Sequence, residues 1–162
     1  WAPDAAVGSR IPVQDAARAW LVDVRRCLAA GRILVFDYAD TTPSMARRPW
    51  TDWVRTYRAQ DRGGHPLEAP GSQDITCEVA LDQLTSQDPA PEVTTQAAFL
   101  VSLGIEDLVE EGRRTWEERA HIGDLAALRA RSRIREAEAL LDPTGMGAFR
   151  VLSWDQPGGP PS

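Results

Sequence analysis

Asp37 and Tyr38 close the run GRILVFDYAD and put a carboxylic acid and a phenol at the end of a short apolar segment. Ile33, Leu34, Val35 and Phe36 precede them without polar alternation, which predicts an interior strand buried on both faces, as in a parallel sheet. Open α/β sheets bind ligands in the crevice at the carboxyl ends of such strands. Asp37 and Tyr38 are therefore candidate catalytic groups; the competing reading is an Asp that caps the next turn and a Tyr packed under the sheet. A second group is Asp74, Thr76 and Glu78. Asp-x-Thr at a helix start is first of all a cap, worth about 1 kcal/mol. Here it also offers an acid, a hydroxyl and, one turn further on, a glutamate able to accept a proton or bind a guanidinium. Tyr57 and Arg58 are candidate pocket residues, with Arg58 able to pair with an acid. Gln96 opens a helix with an amide that can hold a ligand or simply cap.

The elements that must position these groups are legible in part. A helix is predicted from about Gln14 to Ala30, with Ala17, Trp20, Leu21, Val24, Cys27 and Leu28 at helical spacing and Gly31 as its stop. The strand Arg32 to Tyr38 follows at once. Helix, tight turn and buried strand read as the second half of a right-handed βαβ crossover whose first strand lies before Trp1. Residues 39–48 read as loop. In PWTDWVRTYR, Trp53, Arg55 and Tyr57 alternate as in a strand, while Trp50, Trp53, Val54 and Tyr57 would share a helix face; the strand is preferred. After a Gly- and Pro-rich loop from Ala59 to Gly71, a helix is expected to start at Asp74–Thr76. Thr94 and Thr95 cap the next helix, which ends at Gly104. Helices from Ile105 to about Ala120 and from Gly123–Asp124 to Leu141 follow, then a strand from Ala148 to Trp154. The division expected is one domain over 1–154 and a disordered tail over 155–162.

The bulk properties narrow the function. With 162 residues and 43% hydrophobic content, the chain can bury one domain's core. A net charge of −6 argues against a general nucleic-acid binder. No run approaches the ~18 apolar residues of a membrane span, and the expected location is the cytoplasm. All 18 basic residues are arginine, so no lysine Schiff base or lysine general base is available. Cys27 and Cys77 fit neither a zinc site nor a redox pair and read as buried thiols. His65 and His121 do not make a metal site. No glycine-rich nucleotide loop occurs in the sequence.

Taken in order, several pieces are specific: FDYAD ending a strand, TYR after a loop, PLEAPGSQDIT, TQAAFL followed by LGI, and DPTGMGAFRVL near the close. In that order they resemble the carboxy-terminal half of the MidA-type S-adenosylmethionine-dependent methyltransferases, a family that includes a mitochondrial complex I assembly factor that methylates an arginine. The likeness runs from about Arg10 to Trp154. It implies an α/β fold: the carboxy-terminal half of a class I methyltransferase (Rossmann-like) sheet with a helical elaboration. Arg32–Tyr38 would be the fifth strand and Ala148–Trp154 the antiparallel seventh. The family's glycine-rich motif and ribose-binding acid have no counterpart here. Many members read DIT-Ala-His-Val-Asp-Phe, whereas this chain has Asp74, Ile75, Thr76, Cys77, Glu78, Val79, Ala80 and Leu81; Glu78 replaces the histidine, which removes it as a base.

The resemblance implies that the full-length protein uses S-adenosylmethionine to methylate a protein side chain such as arginine, with Asp37, Asp74 and Glu78 orienting the guanidinium by charge-assisted hydrogen bonds. The 162 residues alone are expected neither to bind the cofactor nor to catalyse transfer. The partners expected are a protein substrate and the missing amino-terminal half, with no nucleic acid and no membrane. The alternative function is a non-enzymatic interaction module that keeps the family fold.

Overall fold

A computed structural model describes residues 1–86 and 89–156. They gather in two compact units: Trp1–Ile33 with Asp37–Pro91 and the chain from Trp154, and Leu34–Phe36 with Glu92–Ser153.

The first unit opens with helix α1 (Asp15–Cys27), followed by strand β1 (Gly31–Asp37) and the short β2 (Ala39–Asp40). Only Leu21 of α1 is fully buried. Residues 39–48, expected as loop, instead hold helix α2 (Thr42–Ala46). Thr41 caps it by accepting a hydrogen bond from the Ser44 N–H, and Pro43 fits its first turn, where a missing N–H costs nothing. PWTDWVRTYR divides into helix α3 (Trp50–Trp53) and strand β3 (Val54–Arg58), so both expected readings hold, each over half the segment.

The DIT segment is a correction. Asp74–Cys77 form strand β5, antiparallel to β3, with Arg55 opposite Thr76 and Tyr57 opposite Asp74. Neither Asp74 nor Thr76 caps a helix; pairing with β3 has overridden the local cap signal. Strand β4 (Asp61–Arg62) completes this sheet on the other side of β3. Strand β6 (Val79–Ala80) then pairs parallel with β2, and helix α4 (Leu81–Thr85) follows. The core between these pieces is Leu21, Met45, Trp53, Ala80 and Leu84, with Thr42 and Gln83 fully buried among them. Gln83 is satisfied on all sides: its Nε2 donates to the Pro12 carbonyl and Thr42 Oγ1, and its Oε1 accepts from the Gln14 N–H.

The second unit holds strand β7 (Glu92–Thr95), helices α5 (Gln96–Ser102), α6 (Ile105–Arg119) and α7 (Leu125–Leu141), a 3-10 turn at Met146–Ala148, and strand β8 (Arg150–Gln156). Thr95 caps α5 and Asp124 caps α7, each as a side-chain acceptor. Gly104 takes the left-handed conformation that separates α5 from α6. The α6–α7 hairpin closes over small residues: Ala127, Ala130 and Ala137 of α7 and Gly112 of α6 are buried. Leu108, Leu125 and Leu128 are exposed.

In the three-stranded sheet β8 lies between β1 and β7, so β1 is at an edge. Leu34 and Phe36 are 41% and 42% exposed, which corrects the expectation of an interior strand buried on both faces. An edge strand has one neighbour, and Phe36 finds cover in an edge-to-face contact with Phe99, ring centres 5.4 Å apart. Strand β8 runs through Asp155 and Gln156, two residues assigned to the tail by the sequence; Arg32 pairs with Asp155 at 2.6 Å. The rest of that expected tail lies outside the described residues.

Candidate active site

Two backbone hydrogen bonds assemble the site in the first unit. The Val79 N–H donates to the Tyr38 carbonyl at 2.8 Å and the Glu78 N–H to the Trp53 carbonyl at 2.9 Å. The end of β1, the end of α3 and the bend between β5 and β6 are thereby tied together. Strand alternation turns Arg55 and Tyr57 of β3 and their cross-strand neighbour Thr76 to one face. The result is a cavity of about 230 Å³ whose walls include Asp37, Tyr38, Tyr57, Thr76 and Glu78. Those five sequence candidates are brought together.

Three are not. Asp74 is exposed at the far end of the β3–β5 ladder, opposite Tyr57. Arg58 points elsewhere and donates to Ser72 Oγ at 3.0 Å. Gln96 belongs to the second unit, buried, with its amide donating to the Leu140 carbonyl at 3.2 Å: a structural bond inside the helical layer. The residues missed are Arg48, Arg55, Trp53 and Cys77. The alternation of Trp53, Arg55 and Tyr57 was the available signal, since a strand puts alternate residues on one face.

Glu78 is the electrostatic centre. Its side chain is only 13% exposed; Arg48 reaches Oε2 at 2.9 Å and Arg55 reaches Oε1 at 3.5 Å. Arg48 also pairs with Asp40 at 2.8 Å. The hydrogen bond to Glu78 is the largest influence on Arg48 and holds its guanidinium above its ordinary value. Burial pushes Asp40 upward, but hydrogen bonds from Ser44, the Thr41 N–H and Arg48 outweigh it and leave the carboxyl below 3.8. The guanidinium of Arg55 lies over the Tyr38 ring, 5.2 Å from its centre.

Asp37 shows both of its expected faces: its Oδ1 accepts from the Tyr38 N–H at 2.7 Å, as a turn cap would, and it also lines the cavity. Burial raises its pKa above 3.8, against that hydrogen bond. Cys77 and Cys27 are both exposed residues, not the buried thiols expected. Burial of the Cys77 sulfur within the site nevertheless raises its pKa; Gln14 Nε2, 3.5 Å away, works the other way. The same Gln14 clamps the bend, donating to the Glu78 carbonyl and accepting from the Ala80 N–H.

Chemically, the cavity offers two carboxylates and two phenols beside the Arg55 guanidinium. It does not fit S-adenosylmethionine. No glycine lines it, so the backbone cannot close on a ribose or carboxylate, and its volume falls below the ~300 Å³ at which pockets for drug-sized ligands begin. Among the described residues no helix is long and apolar enough to cross a membrane, and no three His, Cys, Asp or Glu gather around a metal position.

Residues 1–97, more than half of the chain and all of the cavity, match the model of a family described as "putative S-adenosyl-L-methionine-dependent methyltransferase". The chain belongs to that family. Two solved structures from Burkholderia thailandensis share its fold. One is an uncharacterised protein of the COG1565 superfamily, 23% identical, with a TM-score of 0.69 over 93% of this chain and 41% of its own. The other is a member of the same superfamily described as a "likely methyl transferase" bound to S-adenosyl-homocysteine, 25% identical, with a TM-score of 0.66 over 89% of this chain and 36% of its own. The chain thus spans less than half the length of the solved structures it matches. No curated protein matches it. The family's cofactor is S-adenosylmethionine.

Proposed function

We propose that this chain is the substrate-side, carboxy-terminal part of a MidA-type methyltransferase with a Rossmann-like sheet, and that its cavity holds the side-chain nitrogen of a protein acceptor, arginine in particular. One observation carries the reading: Tyr38 and Glu78 already hold a guanidinium, that of Arg55. An acceptor guanidinium finds the same aromatic face and the same carboxylate edge. Glu78 and Asp37 orient it and keep its donors directed, and Tyr38 and Tyr57 flank it. Such positioning is the larger part of what a methyl transfer asks of a protein. None of these residues is assigned to the cofactor, which falls to a preceding glycine-rich half. The acceptor is a cytoplasmic protein; nucleic acid and membrane are not partners.

The test is calorimetry of S-adenosylmethionine with this chain and with the full-length protein. Binding by the longer form alone is the expected result, and micromolar binding to the 162 residues would sink the division of labour. A second reading, a non-enzymatic interaction module, is favoured by one feature, the exposed Leu34 and Phe36 on the edge strand β1. It predicts that neither form binds the cofactor.

A further inference from the structure

Beside the acceptor cavity lies a second one of about 270 Å³, and Arg55 forms a wall of both. Its walls include Trp50, Arg62 and His65 as well as Gly64, against which the Glu68 carboxylate lies. Two arginines beside it are held by aromatic stacking. Arg62 stacks over Tyr57 at 5.8 Å and Arg10 over Trp50 at 5.1 Å. Among the described residues neither guanidinium has a hydrogen-bond or ion-pair partner, unlike Arg48, Arg55 and Arg119. Stacking fixes the planes of these guanidinium groups and leaves their N–H edges free, the arrangement that recognises a carboxylate. His65 adds a donor. Its Nδ1 accepts from the Leu67 N–H, so the neutral ring carries its proton on Nε2; the ring also packs edge-on against Trp50, centres 5.3 Å apart.

We infer that this second cavity binds an acidic side chain of the same peptide that presents its guanidine to the first, so that the substrate is an arginine with an aspartate or glutamate close by in sequence. The inference rests on the acceptor reading above and names its sequence preference. The cavities share one side chain as their partition. The spacing to test is therefore a short one, roughly two or three residues of extended peptide at about 3.3 Å each.

The experiment titrates the 162-residue chain with short peptides containing Arg and Asp, Arg and Asn, or Gln and Asp at that spacing, and with inorganic phosphate, by calorimetry and tryptophan fluorescence. The Arg–Asp peptide should bind about ten-fold tighter than the Arg–Asn peptide, the worth of one charge-assisted hydrogen bond. Arg62→Gln should shrink that ratio toward one and leave the melting temperature unchanged. Equal binding of the two peptides, an advantage that survives Arg62→Gln, or no binding of any peptide overturns the inference. So does phosphate that binds while Asp and Asn go undistinguished, which would make this a free-anion site. If Gln–Asp binds as well as Arg–Asp and still depends on Arg62, the acceptor reading fails and acidic recognition stands.

Discussion

The guanidinium of Arg55 sits 5.2 Å over the Tyr38 ring and 3.5 Å from the Glu78 carboxylate, so one of the chain's own arginines occupies the place proposed for the acceptor. An incoming guanidine must compete with it. Arg55→Ala removes the competitor and leaves Glu78 paired with Arg48, so the acid is not stranded. Affinity for N-acetyl-arginine amide should rise about ten-fold, matching one charged hydrogen bond released. Glu78→Gln should abolish the gain in the double variant. Calorimetry on the three proteins checks both.

The Cys77 thiol reports on the same cavity. Burial raises its pKa, which lowers the thiolate fraction that reacts. With each cysteine left alone in turn, Cys77 should react several-fold more slowly than Cys27 with a disulfide reagent near pH 8, the thiolate being the nucleophile. Saturating arginine ligand should slow Cys77 further and leave Cys27 alone. Equal rates for the two would mean that the sulfur is not shielded.

Gln83 anchors the core of the first unit. Replacing it with leucine keeps most of the volume but strands the Pro12 carbonyl and the Gln14 N–H, while the Thr42 hydroxyl keeps its bond to Asp82. At about 1–3 kcal/mol for each buried unsatisfied group, partly relieved by relaxation, a loss of about 3 kcal/mol is expected in urea unfolding. Gln14→Ala should cost less, since that residue is only half-buried, but it frees the Glu78–Ala80 bend and should weaken arginine binding as well.

Close packing sets another limit at Gly147. A Cβ there would lie 2.6 Å from both the carbonyl carbon and the oxygen of Leu141, backbone atoms that cannot swing aside. Gly147→Ala should destabilise the chain by about 2–3 kcal/mol, the usual cost of overpacking. Gly123→Ala, where nothing lies within 4 Å, serves as the control for backbone strain alone, because that residue has a positive φ. Chemical denaturation of both variants separates contact from strain.

The long helices were legible because periodicity, a capping residue and a glycine or proline stop coincided, as at Thr95 and Asp124. The DIT strand was not, because Asp-x-Thr is a genuine cap signal and only the pairing of Ile75 with Thr56, residues 19 apart in sequence, decides against it. The seam of the α6–α7 hairpin was not legible either: it is set by how closely two backbones approach at Gly112 and Ala130, a property of alanine and glycine that hydropathy does not report. Within the site, the acids and phenols were visible as types at strand ends. Arg55 and Arg48 were not, since an arginine's role depends on which carboxylate it faces. Asp74, Arg58 and Gln96 were chosen by the same type-based logic, but Asp74 ends the β5 ladder, Arg58 bonds Ser72 and Gln96 bonds the Leu140 carbonyl.

Acid should act on this chain in two opposite senses. Asp124 caps α7 and pairs with Arg119, whose hydrogen bond is the largest influence holding its carboxyl below the ordinary 3.8. Asp142, bonded by the Thr144 N–H and hydroxyl, is lowered likewise. A lowered folded-state pKa means stability that is complete above 3.8 and lost as pH falls through the folded value. Asp37 runs the other way. Burial raises it, so its contribution is complete below 3.8 and is lost as pH rises through its folded value. Asp124→Asn keeps a good capping side chain but loses the charge, and should flatten the acid limb of a stability profile taken between about pH 3 and pH 7. Asp37→Asn should leave the acid end unchanged and gain stability toward neutrality. Parallel profiles for Asp37→Asn and the parent would show that Asp37 titrates as a solvated carboxylate, and would remove it from the cavity's electrostatics.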